Sequence, residues 1–179
     1  MATLASVPLL ITPRFALRPL ERSDAAALLP TLGDPAQCRY LSRGAFADDA
    51  ELWDWLAAPG WPGLTWIATD RASGEVAGRF VAIPFAQDAA VFEIGTITCA
   101  HRQGEGVARE CAAALIAHLF AEGARLLTAE IDTRNAPSLR LFDSLGFTHT
   151  RTVHEAEITH IGPCDLAQYE LHSSHASNA

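Results

Sequence analysis

The stretch Glu93-Ile94-Gly95-Thr96-Ile97-Thr98-Cys99-Ala100-His101-Arg102-Gln103-Gly104-Glu105-Gly106-Val107-Ala108 decides how this chain folds. Its first half is apolar and β-branched, which predicts a strand over Val91–Cys99. After it, apolar residues recur at helical spacing, which predicts a helix from about Gly106 to Glu122 with Gly123 just past its end. On that helix Val107, Cys111, Leu115 and Leu119 share an apolar stripe, with Ala114 and His118 offset by one turn. A turn with glycines at 104 and 106 joins the two elements. Such a turn exposes the first N–H groups of the helix, which have no partner within it. Those donors and the helix dipole attract an anion, and glycine lets phosphate oxygens come close to the backbone. Two glycines opening a helix are equally the mark of a relaxed loop, so the turn alone leaves both readings standing. Glu105 weighs against an anion, while Arg102 and Arg109 are near enough in sequence to offset it.

Working outward, alternation over Leu9–Leu17 predicts a first strand. Ser23-Asp24 then opens a helix rich in alanine and leucine that ends at Gly33. A second short helix is predicted over Asp48–Ala58, with Leu52, Trp55 and Leu56 on one face, and Pro59-Gly60-Trp61-Pro62-Gly63 must be a loop. Strands follow at Leu64–Thr69 and Glu75–Phe85, joined by Asp70-Arg71-Ala72-Ser73-Gly74, which has hairpin chemistry. Beyond the central helix, Arg125–Asp132 reads as a strand. Asn135 caps a short helix with Pro137 in its first turn, Leu141, Phe142 and Leu145 inward, and Gly146 at its end. Strands at Phe147–Thr159 and Asp165–Leu171 complete the order βααβββαβαββ. This is an α+β chain with helices on a mixed, largely antiparallel sheet. Residues 1–179 read as one domain, with 172–179 as a polar, frayed tail.

Composition removes several function classes. The net charge is −8, and all 13 basic residues are arginines. Without lysine there is no Schiff base for pyridoxal phosphate and no Walker-type phosphate contact. An acidic chain also lacks the counterion-releasing surface that nucleic acid requires, whereas it suits a cationic amine. The segment Met1–Leu10 lacks the basic start of an export signal, and no run approaches the roughly 18 apolar residues that span a bilayer. The expectation is a cytoplasmic protein with no nucleic-acid or membrane partner. Cys38, Cys99, Cys111 and Cys164 show no Cys-x-x-Cys spacing and read as free thiols.

The quoted stretch resembles the strand and pyrophosphate loop of the GNAT acetyltransferases. Gln103-x-x-Gly106-x-Ala108 fits that family's Gln/Arg-x-x-Gly-x-Gly/Ala pattern, and Glu110 falls where a glutamate often follows it. Asn135-x-x-Ser138 and Leu145-Gly146-Phe147 are similar to elements of the branch that acetylates the N-termini of ribosomal proteins. So are Leu17-Arg18-Pro19-Leu20 with Ser23-Asp24, and Asp165. The resemblance covers nearly the whole chain. It implies the GNAT (acyl-CoA N-acyltransferase) fold, helices on both faces of the sheet, and acetyl-CoA as co-substrate, without a metal. The cofactor would lie in a V-shaped opening between the strands ending at Cys99 and Asp132. Backbone groups of Ile97 and Thr98 would meet the pantetheine arm, and N–H groups of Gln103, Gly104, Glu105, Gly106, Val107 and Ala108 the pyrophosphate. Asn135 and Ser138 would lie along the arm near the thioester.

The implied reaction is direct attack of a neutral amine on the thioester in a ternary complex, with a backbone N–H stabilising the oxyanion. A base must take the amine's proton. Glu93 is the candidate, since its neighbours Val91, Phe92 and Ile94 are apolar and burial would raise its pKa. It reads equally as a strand residue paired with an arginine. Many GNAT enzymes carry a tyrosine seven residues after the asparagine to protonate the departing thiolate. Here that residue is Phe142. The hydroxyl of Ser138 could serve instead, or simply satisfy a backbone group.

The acceptor that the resemblance implies is a primary amine, most like a protein N-terminus of the ribosomal type, with a small molecule such as a polyamine or aminoglycoside as the alternative. A sensor that binds acetyl-CoA without turnover is kept open by Phe142. The acceptor groove would come from residues 33–62 and the 160s, with Trp61 walling it or forming a dimer contact. Proteins of this fold often pair through edge strands, so monomer and homodimer both stand. His149 and His154 differ by an odd number and would face opposite sides of a regular strand. His154 and His160 would lie about 20 Å apart, too far for one metal.

Overall fold

The computed structural model describes residues 7–173. Its elements are β1 (Leu10–Ile11), β2 (Phe15–Pro19), α1 (Asp24–Leu32), α2 (Asp49–Leu56), β3 (Leu64–Asp70), β4 (Val76–Phe85) and β5 (Asp88–Thr98). A single 3-10 turn (Ala100–Arg102) leads to α3 (Val107–Ala121), β6 (Leu126–Asp132), α4 (Ala136–Ser144), β7 (Thr148–Thr159) and β8 (Gly162–His172). The strands form one sheet in the order β1-β2-β3-β4-β5-β6-β8-β7. Of its pairings only β5 with β6 is parallel.

The predicted strand over Leu9–Leu17 is instead a small hairpin. Leu10 pairs with Leu17 and Ile11 with Ala16 around Thr12-Pro13-Arg14. Pro13 offers no N–H to a ladder. The Thr12 hydroxyl closes the turn by accepting from the Phe15 N–H at 2.9 Å. Glu110 of α3 then clamps it, accepting from the Thr12 hydroxyl (2.7 Å), the Arg14 N–H (2.9 Å) and the Arg14 guanidinium (2.7 Å). Burial works to raise Glu110's pKa, but these donors outweigh it and hold the carboxyl below its ordinary range. Of the predicted tail, His172 ends β8 and the Ser173 N–H donates to the Arg125 carbonyl at 3.0 Å; residues 174–179 lie outside the described residues.

Helices cover both faces. On one, Val107, Cys111, Ala112, Leu115, Ile116 and Leu119 of α3 pack with Phe142 of α4 on Trp66, Phe80, Ile94 and Leu127. The apolar stripe is thus wider than predicted on the Ala112–Ile116 side, and Ala114 and His118 are only partly buried. His118 stands edge-on to Trp66, with ring centres 6.1 Å apart. On the other face, Leu28 and Leu32 of α1 and Leu52 and Leu56 of α2 pack on Ile67 and Cys99. Asp24 opens α1 by gripping Arg18 of β2 with both oxygens, at 2.7 and 2.8 Å. Among the described residues no helix is long and apolar enough to cross a membrane.

Candidate active site

Strands β5 and β6 pair only from Val91–Leu126 to Glu93–Thr128. Beyond that point β5 continues to Thr98 and β6 to Asp132 without hydrogen bonds between them. The sheet therefore opens into a V, and two cavities share its mouth.

The first is a groove running from the turn before α3 to the start of α4. Gly104 and Gly106 hold positive φ, +81° and +78°, which favours glycine at both positions. Gly106 precedes α3 with no side chain to cap it, and the first helical hydrogen bond is from Glu110 N–H to the Gly106 carbonyl at 3.1 Å. The first-turn N–H groups are left to meet a ligand. The turn is braced from three sides. Gln103 donates to Gln37 (2.8 Å), the Ala100 N–H donates to the Thr31 hydroxyl (2.9 Å), and Arg102 reaches Asp70 of the β3–β4 hairpin (2.9 Å).

Of the predicted cofactor residues, Ile97, Thr98, Gln103, Gly104, Gly106, Val107, Ala108, Asn135 and Ser138 line this groove, and Glu105 does not. The Glu105 carboxylate turns back to the Arg102 guanidinium at 2.7 Å, and its carbonyl accepts from Arg14. Arg109 also lines the groove and forms no ion pair among the described residues. A row of unpartnered N–H groups, two left-handed glycines and a free guanidinium is a donor set suited to a pyrophosphate. At the far end the Asn135 side chain accepts the Ser138 N–H at 3.2 Å and caps α4.

The second cavity, of about 230 Å³, lies in the V toward α1 and α2. Tyr40, Leu41, Thr96, Ile97, Asn135 and Ser138 border both spaces. Trp55, Arg79, Glu130 and Asp132 belong to this cavity alone. Asp132 is buried and held by Arg134 through contacts of 2.7 and 2.9 Å, which keep its carboxyl below the usual range. Glu130 accepts from the Gln168 side chain at 2.7 Å. Phe142 also walls the space, fixed edge-on against Phe147 with 5.1 Å between centres.

Glu93 is not itself among the lining residues. It stands on the strand face shared by Gly95 and Ile97, just below where the V opens. Its carboxylate makes no hydrogen bond or ion pair among the described residues, so the arginine partner that one reading gave it is missing. Burial, reinforced by the charge of Glu130, raises its pKa above the ordinary carboxylate value. Trp61 does not line the cavity either; its ring folds over Gly63 and covers Arg79 from the side.

The four cysteines are free and buried. Burial pushes their thiols up, Cys111 to about 12 and Cys164 to about 11, which is poor preparation for a nucleophile. Strand β7 is interrupted at His149/Arg151 and Val153/Glu157, so the parity argument for its histidines does not apply. His149 meets Thr152 and His154 meets Asp165. Among the described residues no three His, Cys, Asp or Glu side chains come together as a metal site.

Residues 14–148 match the acetyltransferase (GNAT) domain. The chain belongs to the GNAT acetyltransferase family. Members use acetyl-CoA to acetylate an amine, and this chain is an acetyl-CoA-dependent N-acetyltransferase. It is 29% identical over 154 residues to the Bacillus subtilis protein YkkB, covering 82% of this chain and 88% of that protein. Two solved structures share the fold at a TM-score of 0.78. The ribosomal-protein-S5-alanine acetyltransferase of Vibrio fischeri is 13% identical over 94% of this chain and 98% of its own. The spermidine N-acetyltransferase of Vibrio cholerae, solved with CoA and spermine, is 16% identical over 91% of this chain and 98% of its own. The fold is therefore equally near to enzymes named for a protein acceptor and for a polyamine.

Proposed function

We propose that this enzyme acetylates a small primary amine seated in the cavity walled by Trp55 and Arg79, by direct attack within a ternary complex. The observation that carries this reading is the shared border. Tyr40, Thr96, Ile97, Asn135 and Ser138 front both the groove and the cavity, so the two spaces open on one point. When bound in the groove, acetyl-CoA supplies the acyl group as a thioester. The chain's own work is then to hold an amine at that point, deprotonate it and exclude water.

Glu93 is the base of this reading, because its raised pKa and missing partner suit a carboxylate that takes a proton from an ammonium. It stands behind the cavity lining, so the proton passes to it through water. The Ser138 hydroxyl, at the border, donates to the departing sulfur, and Tyr40 offers a second hydroxyl on the opposite wall. Gln103, Gly104, Gly106, Val107, Ala108 and Arg109 hold the pyrophosphate.

A protein N-terminus is the second reading, favoured by the motifs similar to the ribosomal branch. In this chain those motifs serve the scaffold. Arg18 and Asp24 join β2 to α1, Asn135 caps α4, and Asp165 holds His154 and the Glu155 N–H. Of them only Asn135, with Ser138, reaches the cavity, at the border it shares with the groove; the wall of Trp55 and Arg79 comes from other elements, so a small amine is preferred. The test is thiol release from acetyl-CoA across a panel of small amines and short peptides. Small primary amines should release thiol well above background. Stabilisation by acetyl-CoA with no release for any acceptor would sink the catalytic reading.

A further inference from the structure

Arg79 is an anomaly that the reaction described so far does not use. It lies in β4 within the apolar run Val76-Ala77-Gly78-Arg79-Phe80-Val81, and only 6% of it is exposed. Its Nε is buried without a hydrogen-bond partner, and among the described residues the side chain makes one hydrogen bond, from an Nη to the Thr65 hydroxyl at 3.5 Å. No carboxylate among the described residues pairs with it. Of the acids on the same cavity, Asp132 is taken by Arg134, and Glu130 accepts from Gln168. A buried guanidinium without a counter-ion costs several kcal/mol. Two tryptophan rings offset part of that cost: the guanidinium carbon lies 4.8 Å from the centre of Trp55 and 5.2 Å from that of Trp61. Burial lowers the pKa of Arg79 to about 10, so it remains a cation at neutral pH.

The rings attract the guanidinium's charge but give its donors no acceptor: Nε has none, and one Nη has only the long bond to Thr65. Those donors make a fork that matches two carboxylate oxygens. The rest of the cavity is polarised in a complementary way. Arg79 is level with Ile97 in the β4–β5 register, whereas Glu93 is level with Ile83, four residues along. At strand rise this separates the two positions by about 13 Å on one face of the sheet. Glu130 lines the cavity between those levels, because Glu93 pairs with Thr128 and β6 runs parallel to β5. The cavity thus has Arg79 at one end, where Asp132 is already neutralised by Arg134, and Glu130, with Glu93 behind the lining, toward the end where an ammonium would lose its proton.

We propose that Arg79 binds a carboxylate of the acceptor, so that the substrate class is a primary amine that also carries a carboxylate. This rests on the reading of the cavity as the acceptor site. Arg79 is then a specificity residue and takes no part in moving protons or the acetyl group. It selects acceptors by supplying the counter-ion partner that the fold withholds from it.

The test uses the whole protein and a homologous series of ω-amino acids from β-alanine to 6-aminohexanoate. Each is compared with its carboxamide and with the alkylamine lacking the carboxylate. For the best chain length, kcat/KM should exceed that of the carboxamide by about tenfold or more, the worth of a charge-assisted hydrogen bond. In Arg79→Gln the preference should collapse to near unity through KM, with stabilisation by acetyl-CoA unchanged. Arg79→Lys should recover part of the preference. Equal turnover of acids and carboxamides by the wild type overturns the assignment while leaving the acetyltransferase reading intact. If no amine is acetylated, the catalytic reading fails, and the carboxylate site is judged by binding alone. Stabilisation of the CoA-loaded protein by the acids but not by the carboxamides supports it, and equal stabilisation overturns it. Should Arg79→Gln fail to fold, the wild-type series still decides.

Discussion

The groove and the cavity meet at Ser138 but are built from different material. The groove presents backbone: N–H groups at the start of α3, shaped by two left-handed glycines. The cavity presents side chains from four separate elements, with Trp55 from α2, Arg79 from β4, Glu130 from β6 and Phe142 from α4. Their arginines show the contrast most directly. Arg102, at the groove, is shared between Asp70 and Glu105 and belongs to the brace of the turn. Arg79, in the cavity, pairs with no acid among the described residues. A site made of backbone needs a local shape, and of the groove's two arginines Arg102 is neutralised internally while Arg109 is left without an acid among the described residues. A site made of side chains must leave some groups unsatisfied until the ligand arrives.

The largest expected effect separates the two spaces. Glu93→Gln should lower kcat/KM by about 10²–10³-fold, within the usual range for a general base. Stabilisation by acetyl-CoA should be untouched, because Glu93 does not reach the groove. The pH profile gives the sign. Glu93's folded pKa is raised, so wild-type activity should climb with pH through a range above the ordinary carboxylate value, and the variant should lose that limb. Stability moves the other way. A raised carboxyl pKa favours the folded state only when protonated, so the wild type loses stability as pH rises above about 4.3, the unfolded value. The variant should therefore melt higher at neutral pH and equally at acid pH. Equal melting at both pH values would show that Glu93 is not desolvated.

The next effect belongs to the groove alone. Gly106→Val puts a β-branched residue at φ +78°, a strain of about 1–2 kcal/mol, and the turn must change shape to relieve it. Affinity for acetyl-CoA should fall roughly tenfold or more, with the KM of the amine unchanged. A variant that binds acetyl-CoA normally in a titration would place the pyrophosphate elsewhere.

This difference in material also explains what could be read from the sequence. Gly104, Gly106, Asn135 and Gly146 each announce a local conformation, and all four occupy the turns or caps expected of them. The helices follow from periodicity for the same reason. The first strand was misread because alternation survives through Thr12-Pro13-Arg14, where the chain reverses. The cavity was hardly legible. Trp55 reads as a core position on α2, and Arg79 belongs to no motif, although an arginine inside an unbroken apolar strand is a signal of unusual burial. Its meaning depends on two tryptophans and an absent carboxylate, which only tertiary packing brings together or keeps apart. Glu93 fell between the two cases: its burial followed from its neighbours, whereas its lack of an arginine partner did not.

At the border itself the effect should be smaller. Ser138→Ala removes a hydroxyl that fronts both spaces but leaves the cap intact, because the cap uses the Ser138 N–H. A loss in kcat of roughly three- to tenfold, without loss of stability, fits one hydrogen bond to the departing sulfur. Phe142→Tyr should restore part of that loss if its new hydroxyl reaches the sulfur. A Ser138→Ala enzyme with full kcat would transfer the role to Tyr40.

The smallest effect tests whether the groove really tolerates its own acid. Glu105 is half-exposed, points away from the groove, and holds Arg102 at 2.7 Å. In Glu105→Gln, Arg102 keeps Asp70 at 2.9 Å, so the brace survives while one negative charge beside the proposed pyrophosphate site is removed. Acetyl-CoA should bind roughly two- to threefold more tightly at low salt, the scale of a single exposed charge. The gain should fade as ionic strength rises, since the Debye length shrinks to about 3 Å at 1 M. Titrations of both proteins at low and high salt measure this directly. A gain that persists at high salt would mean that Glu105 acts by restraining Arg102 rather than by its field. Weaker binding at every salt concentration would mean that the carboxylate shapes the turn, and that the groove depends on side chains as much as the cavity does.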